Sequence, residues 1–262
     1  YKYLAFTNDG QDQTEYSVTF DEPDGTECDI LIVGGGGGGS RWRSGAGGGD
    51  ALYFTTLSLN GSYNIKVGKG GDVPRDNSHV HRFGGFSGET SSITGGTLNI
   101  NAAGGGGAGG WGLDPLPVST VSYINPLTGE TESSVGGGAG SAKIGQLPAG
   151  NGGQGDWDGW DNSADDGATG GGGGGGTTGQ GGLPIGESGG LGGDGESVDI
   201  TGTYIEYGKG GAGYGTNDGT PIITPQNIGQ GGAGGSDSGT HRSGGSGIVI
   251  IRYKTTKGSF TQ

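Results

Sequence analysis

Residues 27–39 have the sequence ECDILIVGGGGGG, an apolar run that passes directly into six glycines. The run from Ile30 to Val33 shows no polar alternation, which predicts a strand covered on both faces. A second run of this kind, Ile248 to Ile251, lies near the other end of the chain. We therefore expect the segments from Cys28 to Val33 and from Ile248 to Tyr253 to be neighbours in one sheet.

Cys28 is the single cysteine of the chain, so it cannot form a disulfide within it. Its place in the apolar run predicts a buried thiol that packs as a small hydrophobic group. The alternative is a reactive or intermolecular cysteine.

Glycine is the dominant residue, with 73 of 262 positions, and it returns too often for a helix to form. Between the glycines, apolar residues alternate with polar ones, as in Tyr16, Val18 and Phe20, which indicates half-buried strands. We expect a single glycine-rich domain over residues 1–262. Its predicted β elements lie near 1–33, 51–67, 90–103, 198–207 and 248–254.

The glycine tracts, of which residues 34–39 and 171–176 are the longest, allow two interpretations. The first is flexible linker, which composition alone favours. The second is an ordered bundle of polyglycine II helices, extended helices with three residues per turn and no internal hydrogen bonds. Buried helices of this kind must pair their N–H and C=O groups laterally with neighbours, and many tracts in one chain supply such partners. Because the tracts leave directly from the most apolar strands, we favour the bundle.

Four segments carry a resemblance to a known family: YKYLAFT at residues 1–7, residues 27–39, VGKGG at residues 67–71 and SGGSGIVIIRY at residues 243–253. The chain resembles the glycine-rich domain of virus structural proteins, found in bacteriophages and in large DNA viruses of algae and other protists. The resemblance spans essentially the whole chain. It implies an all-β fold with much irregular structure: a jelly-roll-like β-sandwich packed against a polyglycine II bundle, with almost no α-helix. Tail-fibre tip adhesins of T4-like phages have a related bundle, and receptor kinases of the anaplastic lymphoma type an analogous one.

Charge and motifs exclude several functions. The chain has 13 Lys and Arg against 27 Asp and Glu, so it lacks the basic surface of a protein that binds nucleic acid or anionic membranes. No apolar stretch approaches the length of about 20 residues that membrane insertion needs. Gly68-Lys69-Gly70 and Gly208-Lys209-Gly210 lack the Ser or Thr of a phosphate loop, and we interpret them as two equivalent strand exits into the bundle. We expect no enzymatic activity and no cofactor.

Two clusters are candidate metal sites. Asp156, Asp158 and Asp161 offer the oxygen ligands that calcium prefers, although the spacing of an EF-hand is absent. The alternative for them is a solvated acidic loop. His79 and His81 project to one side of an extended strand, where they either bind a metal or lie in a solvated loop.

The four tryptophans lie in or beside glycine-rich loops, where they either cap the bundle or form binding platforms. A polyglycine scaffold offers few side chains of its own, so the residues that interrupt it must supply specificity. The candidate receptor-binding residues are Arg41, Trp42, Arg43, His79, His81, Arg82, Trp111, Tyr123, Trp157 and Trp160.

Two functions remain open. The first is a non-enzymatic virion surface protein, a fibre or capsid-surface module that binds a host receptor or glycan through loops. The second is a purely structural subunit of a capsid decoration or an extracellular filament. The expected partners are other virion proteins or copies of the chain itself, together with a host surface receptor or glycan. The expected location is the virion surface, or alternatively the extracellular space or cell surface. Because the chain lacks Met and begins at Tyr1, we expect a processed product or part of a longer polypeptide.

Overall fold

The fold is that of a computed structural model. The residues that it describes are 1–10, 12–40, 44–73, 84–109, 116–140, 152, 174–183, 185, 188–214, 226–235, 242–254 and 260–261. Within these ranges every regular element is a β-strand and none is a helix, which confirms the predicted all-β class. The described residues accordingly include no helix long and apolar enough to cross a bilayer.

In the part of the chain that the structure describes, thirteen strands form three sheets. They are β1 (Lys2–Thr7), β2 (Thr14–Phe20), β3 (Thr26–Val33), β4 (Ala51–Leu59), β5 (Gly61–Val67), β6 (Ser91–Gly95), β7 (Leu98–Ala102), β8 (Thr120–Ile124), β9 (Thr131–Val135), β10 (Glu196–Val198), β11 (Ile205–Tyr207), β12 (Ile248–Tyr253) and β13 (Phe260–Thr261).

The first sheet has four antiparallel strands in the order β1-β12-β3-β4. The continuously apolar strands β3 and β12 are its central pair, with Val33 opposite Ile248 and Cys28 opposite Tyr253. The predicted pairing of these two segments is therefore confirmed. It brings together parts of the chain that are more than 200 residues apart in sequence.

The second sheet has seven strands in the order β13-β2-β5-β6-β7-β8-β9, in which β5 to β9 are antiparallel neighbours in chain order. Its inner face packs against the four-stranded sheet, as in a sandwich. The core between them includes Phe6, Cys28, Ile30, Phe54, Ile65, Ile93, Ile100 and Val249. The predicted sandwich-like arrangement is thus observed.

The other face of the four-stranded sheet is covered by the small β10–β11 sheet. A second core cluster joins Leu31 and Ile250 of the four-stranded sheet to Val198, Ile200 and Tyr207. Strands β3 and β12 are therefore buried on both faces, and this is why they show no polar alternation.

The sequence analysis missed β8 and β9. Their sequences, TVSYI and TESSV, are mostly polar, and Tyr123 and Ser134 are the one buried residue of each strand. The two strands pair with each other along their whole length, whereas the pairing of β8 with β7 consists of one residue pair, Ile124 and Asn99. With so little burial, the hydrophobic pattern that identifies a strand is absent.

Cys28 lies in the sandwich core with its side chain buried. Burial, together with the charges of Asp29 and Glu27, raises the pKa of its thiol to about 12. The thiol therefore stays protonated at neutral pH, and the prediction of a buried, unreactive cysteine is confirmed.

Candidate functional site: the loop end of the glycine tracts

The glycine-rich segments between the strands are joined to one another by backbone hydrogen bonds. We call this assembly the tract array. Its described segments are 34–40, 44–50, 68–73, 84–90, 103–109, 136–140, 174–182, 188–195, 208–214, 229–235 and 242–247.

Segment 34–40 lies inside the array and bonds to its neighbours with a repeat of three residues. Its six glycine N–H groups donate, in chain order, to the carbonyl oxygens of Asp50, Glu89, Gly245, Gly47, Phe86 and Arg242, at 2.8 or 2.9 Å. Residues three positions apart thus bond to the same neighbouring segment. The first and fourth glycines bond to segment 44–50, the second and fifth to 84–90, and the third and sixth to 242–247.

The carbonyl groups of segment 34–40 bond to three further segments. Gly35 and Gly38 accept hydrogen bonds from Gly105 and Ala108, again three residues apart on both sides. Gly36 accepts from segment 68–73, and Gly37 and Ser40 accept from segment 229–235. Six neighbours surround this one segment, and it is buried throughout. The lateral pairing of backbone groups expected from the sequence is present here.

At the six glycines of segment 34–40, the neighbouring segments are too close to admit a side chain. A Cβ atom built at Gly37 would meet the carbonyl group of Gly106, and one at Gly36 would meet that of Gln230. Because the obstacle in each case is backbone, the neighbouring segment would have to move to admit even a methyl group. This crowding explains why the segments consist of glycine.

One end of the array adjoins the strands, and we call it the strand end. Here Gly34, which follows β3, donates to the carbonyl of Asp50, which precedes β4. The Asp50 N–H donates in turn to the carbonyl of Ala103, which follows β7. Hydrogen bonds between segments thus begin at the first residue beyond the sheets.

A buried polar cluster fixes this junction. Asp50 and Ser134 are 8% and 1% exposed, and the Ser134 hydroxyl donates to the Asp50 carboxylate at 2.5 Å. The other carboxylate oxygen accepts the N–H of Ala51 at 3.0 Å, and Ala103 donates its N–H to the Ser134 hydroxyl at 2.8 Å. The cluster therefore joins β4, β7 and β9 at the points where they meet the array.

The opposite end of the array is where segments are interrupted by other residues, and we call it the loop end. Ser40 and Ser44 flank the first interruption and are joined by three hydrogen bonds. The Ser40 N–H donates to the Ser44 carbonyl at 3.1 Å, the two hydroxyls bond at 2.9 Å, and the Ser44 N–H donates to the Ser40 hydroxyl at 3.3 Å. The Ser44 hydroxyl also donates to the carbonyl of Gly109, and Gly235 donates to that of Ser40. Gly109 and Gly235 precede two further interruptions, so three interruptions start within hydrogen-bond contact of one another.

Two more interruptions begin or end at the same place. Phe86 donates its N–H to the carbonyl of Asp72 at 2.9 Å, and these residues flank the interruption at 74–83. Gly140, which precedes the interruption at 141–151, donates to the carbonyl of Gly45. Phe86 is 55% exposed, which makes it the most exposed aromatic side chain described at this end.

Most of the candidate residues from the sequence lie outside the described residues. These are Arg41, Trp42, Arg43, His79, His81, Arg82, Trp111, Trp157 and Trp160, and the possible calcium ligands Asp156, Asp158 and Asp161. The described part of the chain contains no cluster of His, Cys, Asp or Glu that suits a metal ion.

Tyr123 is described, and its position does not suit receptor contact. It is 6% exposed and packs edge-on against Phe54, with ring centroids 6.1 Å apart. Its hydroxyl donates to Glu132 at 2.5 Å, and burial together with this bond raises the pKa of Tyr123. We therefore remove Tyr123 from the candidate receptor-binding residues. Its side chain lies on the face of β8 that packs into the core.

The two Gly-Lys-Gly segments occupy equivalent positions, as the sequence predicts. Each follows a strand directly, β5 ending at Val67 and β11 at Tyr207. Lys69 pairs with Asp72 at 2.7 Å, and Lys209 pairs with Glu206 at 3.0 Å. Both lysines are engaged by carboxylates three residues away, on the same side of an extended segment.

The sequence analysis missed the serine pair at the base of the first interruption. The signal was present, since Ser40 and Ser44 flank Arg41-Trp42-Arg43 symmetrically. This spacing alone does not predict a contact, because the hydrogen bonds between the two serines depend on the fold of the whole array.

Comparison with known proteins identifies the family. The model of the glycine-rich domain matches residues 12–254, and the chain belongs to this family. A search of curated proteins finds no significant match.

Proposed function

We propose that the chain is a non-enzymatic virion surface protein, in which a bundle of polyglycine II helices presents binding loops to a host receptor or glycan. The observation that carries the proposal is the three-residue repeat of hydrogen bonds along segment 34–40. A polyglycine II helix has three residues per turn, so successive N–H groups point about 120° apart. Each group then meets a different neighbour, and the fourth meets the same neighbour as the first.

Exposure along segment 188–195 supports the same geometry. Ser188, Leu191 and Asp194 are exposed, whereas Gly190 and Gly193 are buried. A helix with three residues per turn at the edge of a bundle gives this repeat, because every third side chain faces outward. The side chains of Leu191 and Asp194 are therefore accommodated on the outer row of an edge helix.

Laterally bonded helices form a stiff support, and several interruptions begin at one end of it. The interruption that contains Arg41, Trp42 and Arg43 is anchored at the loop end by Ser40 and Ser44. The interruption that contains Trp111 begins after Gly109, which bonds to Ser44. Recognition by several loops at one end of a rigid scaffold suits attachment to a surface. The net charge of -14 favours a partner other than nucleic acid.

A structural subunit of a capsid decoration or an extracellular filament is the second candidate, and one observation favours it. Leu183, Ile185 and Leu191 are 65%, 83% and 77% exposed and lie in one short segment at the edge of the array. A backbone bond from Gly182 to Leu191 closes this segment. Exposed aliphatic side chains in a group suit packing against another virion protein or another copy of the chain.

The two candidates are separated by replacing the tryptophans singly. Trp42, Trp111, Trp157 and Trp160 are each changed to Ala, and Tm and attachment to candidate host cells or glycans are measured. We expect at least one variant to lose attachment with its Tm unchanged, because truncating a central anchor costs about 2 kcal/mol or more. Leu127→Ala, at a 61% exposed position in the β8–β9 turn, is the control.

If every tryptophan variant that loses attachment also has a lower Tm, the tryptophans are bundle caps. If neither the unmodified protein nor any variant attaches, and if replacing Leu191 abolishes self-association, the structural subunit is favoured.

A further inference from the structure

A group of aromatic and charged side chains lies on the four-stranded sheet, far from the tract array. Strand β12 begins beside the array at Ile248, and its partner β1 begins at the opposite end of the sheet. At that opposite end Tyr1 and Tyr3 are 75% and 51% exposed. Residues two apart on an extended chain face the same side, so Tyr1 and Tyr3 lie on one face. We call Tyr1, Tyr3, Tyr53, Asp29 and Arg252 the tyrosine patch.

The sheet register brings the patch together across neighbouring strands. Tyr3 of β1 is opposite Arg252 of β12, and Arg252 is opposite Asp29 of β3. Tyr53 of the next strand, β4, completes the row, since its hydroxyl accepts a hydrogen bond from Arg252 Nη2 at 3.2 Å. The patch therefore crosses all four strands of the sheet.

Arg252 is held in one orientation by several contacts. Its Nε donates to Asp29 Oδ2 at 3.0 Å, and its Nη2 lies 2.9 Å from the same oxygen. The guanidinium lies 5.4 Å from the ring centroid of Tyr1, within the range of a cation–π interaction. A side chain fixed in this way supports the Tyr1 ring from one side and leaves most of the ring in contact with solvent.

Asp29 is fixed as well, by a local distortion of the sheet. The register of β3 and β4 shifts between Cys28 and Ile30, and Thr56 on β4 adopts a φ of 61°. The Thr56 N–H then donates to Asp29 Oδ1 at 2.9 Å. A threonine with positive φ is unfavourable, so the bulge that holds Asp29 is maintained at an energetic cost.

We propose that the tyrosine patch binds a neutral saccharide. Flat aromatic faces pack against the C–H faces of sugar rings, and the hydroxyl groups of exposed tyrosines bond to sugar hydroxyls. Within the patch, the charge of Arg252 is balanced by Asp29, and the chain as a whole carries a net charge of -14. An anionic ligand therefore gains nothing from this surface, whereas a neutral polyol fits it.

A protein partner fits the patch less well. The next side chain on the same face of β1 is Ala5, and Ile250 opposite it is buried, so the exposed apolar surface of the patch consists of the two tyrosine rings. Protein interfaces place aromatic residues within a larger apolar core. The proposal rests on the proposed function, in that the protein displays a binding surface, but it places the saccharide at the end opposite the loops.

The test uses the full chain and a panel of short, neutral cello-, malto- and chito-oligosaccharides. Binding is measured by titration calorimetry, and the tyrosine ring resonances are followed by NMR. We expect one class to bind and to shift the signals of Tyr1 and Tyr3. Tyr3→Ala should weaken that binding about tenfold or more, and Tyr3→Phe should retain it because the ring remains. Leu127→Ala, at an exposed position in the β8–β9 turn, is the control and should have no effect.

Several outcomes overturn the proposal. Failure of all three oligosaccharide classes to bind, or equal binding by Tyr3→Ala, rejects the saccharide site. A dimer of the unmodified chain that dissociates in Tyr3→Ala, measured by sedimentation, assigns the patch to self-association instead. Absence of oligosaccharide binding, with host attachment lost in the tryptophan variants, rejects this site and leaves the proposed function standing. Absence of oligosaccharide binding, with attachment unchanged in every tryptophan variant, rejects both.

Discussion

Asp50 shows how a single residue connects the two parts of the fold. It is the last residue of a glycine segment and is followed directly by β4. Burial raises the pKa of its carboxyl above the ordinary value of 3.8, although hydrogen bonds from Ser134, Ala51 and Val135 act in the opposite direction. The protein thus keeps a carboxylate where ionisation is unfavourable, because that carboxylate joins neighbouring strands.

The raised pKa predicts how stability changes with pH. A carboxyl that binds its proton more tightly in the folded state stabilises that state below the ordinary pKa. This contribution is lost as the pH rises through the raised value. We expect the unfolding free energy of the unmodified protein, relative to Asp50→Asn, to be larger at about pH 4 than at about pH 7. Urea unfolding of both proteins at the two pH values measures this difference.

Asp24→Asn, at an exposed position in a turn, controls for the loss of one acidic residue. The interpretation of Asp50 is contradicted if its variant differs from the unmodified protein by the same amount at both pH values.

At the residue scale, the sequence predicted burial better than function. Cys28 lies in a continuous apolar run, so its burial followed from its neighbours alone. Tyr123 lies in the polar strand TVSYI, where the face that it occupies depends on the strand register. Register is set by pairing with other strands, so the sequence did not indicate that this ring packs against Phe54.

At the scale of elements, the sequence predicted the central strands and the lateral pairing of glycine tracts. Continuous apolar runs identify strands buried on two sides, and backbone groups without internal partners must bond to neighbours. It did not predict which segments are neighbours. Any glycine segment is chemically equivalent to another, and the choice among them is made by the strands to which they are attached.

Close packing of these segments predicts a sharp difference between two Gly→Ala substitutions. At Gly37 a methyl group would overlap the backbone of Gly106, so Gly37→Ala should destabilise the protein by about 3 kcal/mol or more. For a protein of this size that is a decrease in Tm of roughly 6–12 °C. Thermal unfolding followed by circular dichroism measures it.

Gly106→Ala is the matched control, because it is also a buried glycine but its nearest obstacle is the Leu116 carbonyl oxygen at 3.3 Å. Only a small adjustment is needed there, so its Tm should fall much less. Equal effects at the two positions would show that the segments are not packed as described.

At the scale of the whole molecule, the sheets adjoin the strand end of the tract array, and the described segments stop at its loop end where the interruptions begin. Most of the described segments run between a strand and an interruption, so the position of the sheets fixes the position of the loop end. The sequence contains this alternation of strand, glycine and interruption. Its spatial meaning is visible only from contacts such as Ser40 with Ser44 and Gly34 with Asp50.

This organisation predicts that inserting one glycine is strongly destabilising at one site and nearly neutral at another site close by in the sequence. Segment 44–50 bonds with the three-residue repeat: Gly47 and Asp50 donate to segment 103–109, and Ala46 and Gly49 donate to segment 229–235. A glycine inserted between Gly48 and Gly49 moves the donors on one side of it by a third of a turn. The segment cannot slide toward the loop end to compensate, because Ala46 would take the place of Gly45, where a Cβ meets the carbonyl of Gly211.

The insertion within the segment should therefore break several buried hydrogen bonds. With each buried group left unpaired costing about 1–3 kcal/mol, we expect a loss of about 3 kcal/mol or more. The same glycine inserted between Trp42 and Arg43 only lengthens an interruption, and loop closure entropy changes by well under about 1 kcal/mol. Tm and amide hydrogen exchange of residues 34–39 should be nearly unchanged in the second protein, while in the first the Tm falls and exchange accelerates. Equal tolerance of both insertions would mean that the segments do not hold a fixed three-residue register, and the array would then not be a rigid support for its loops.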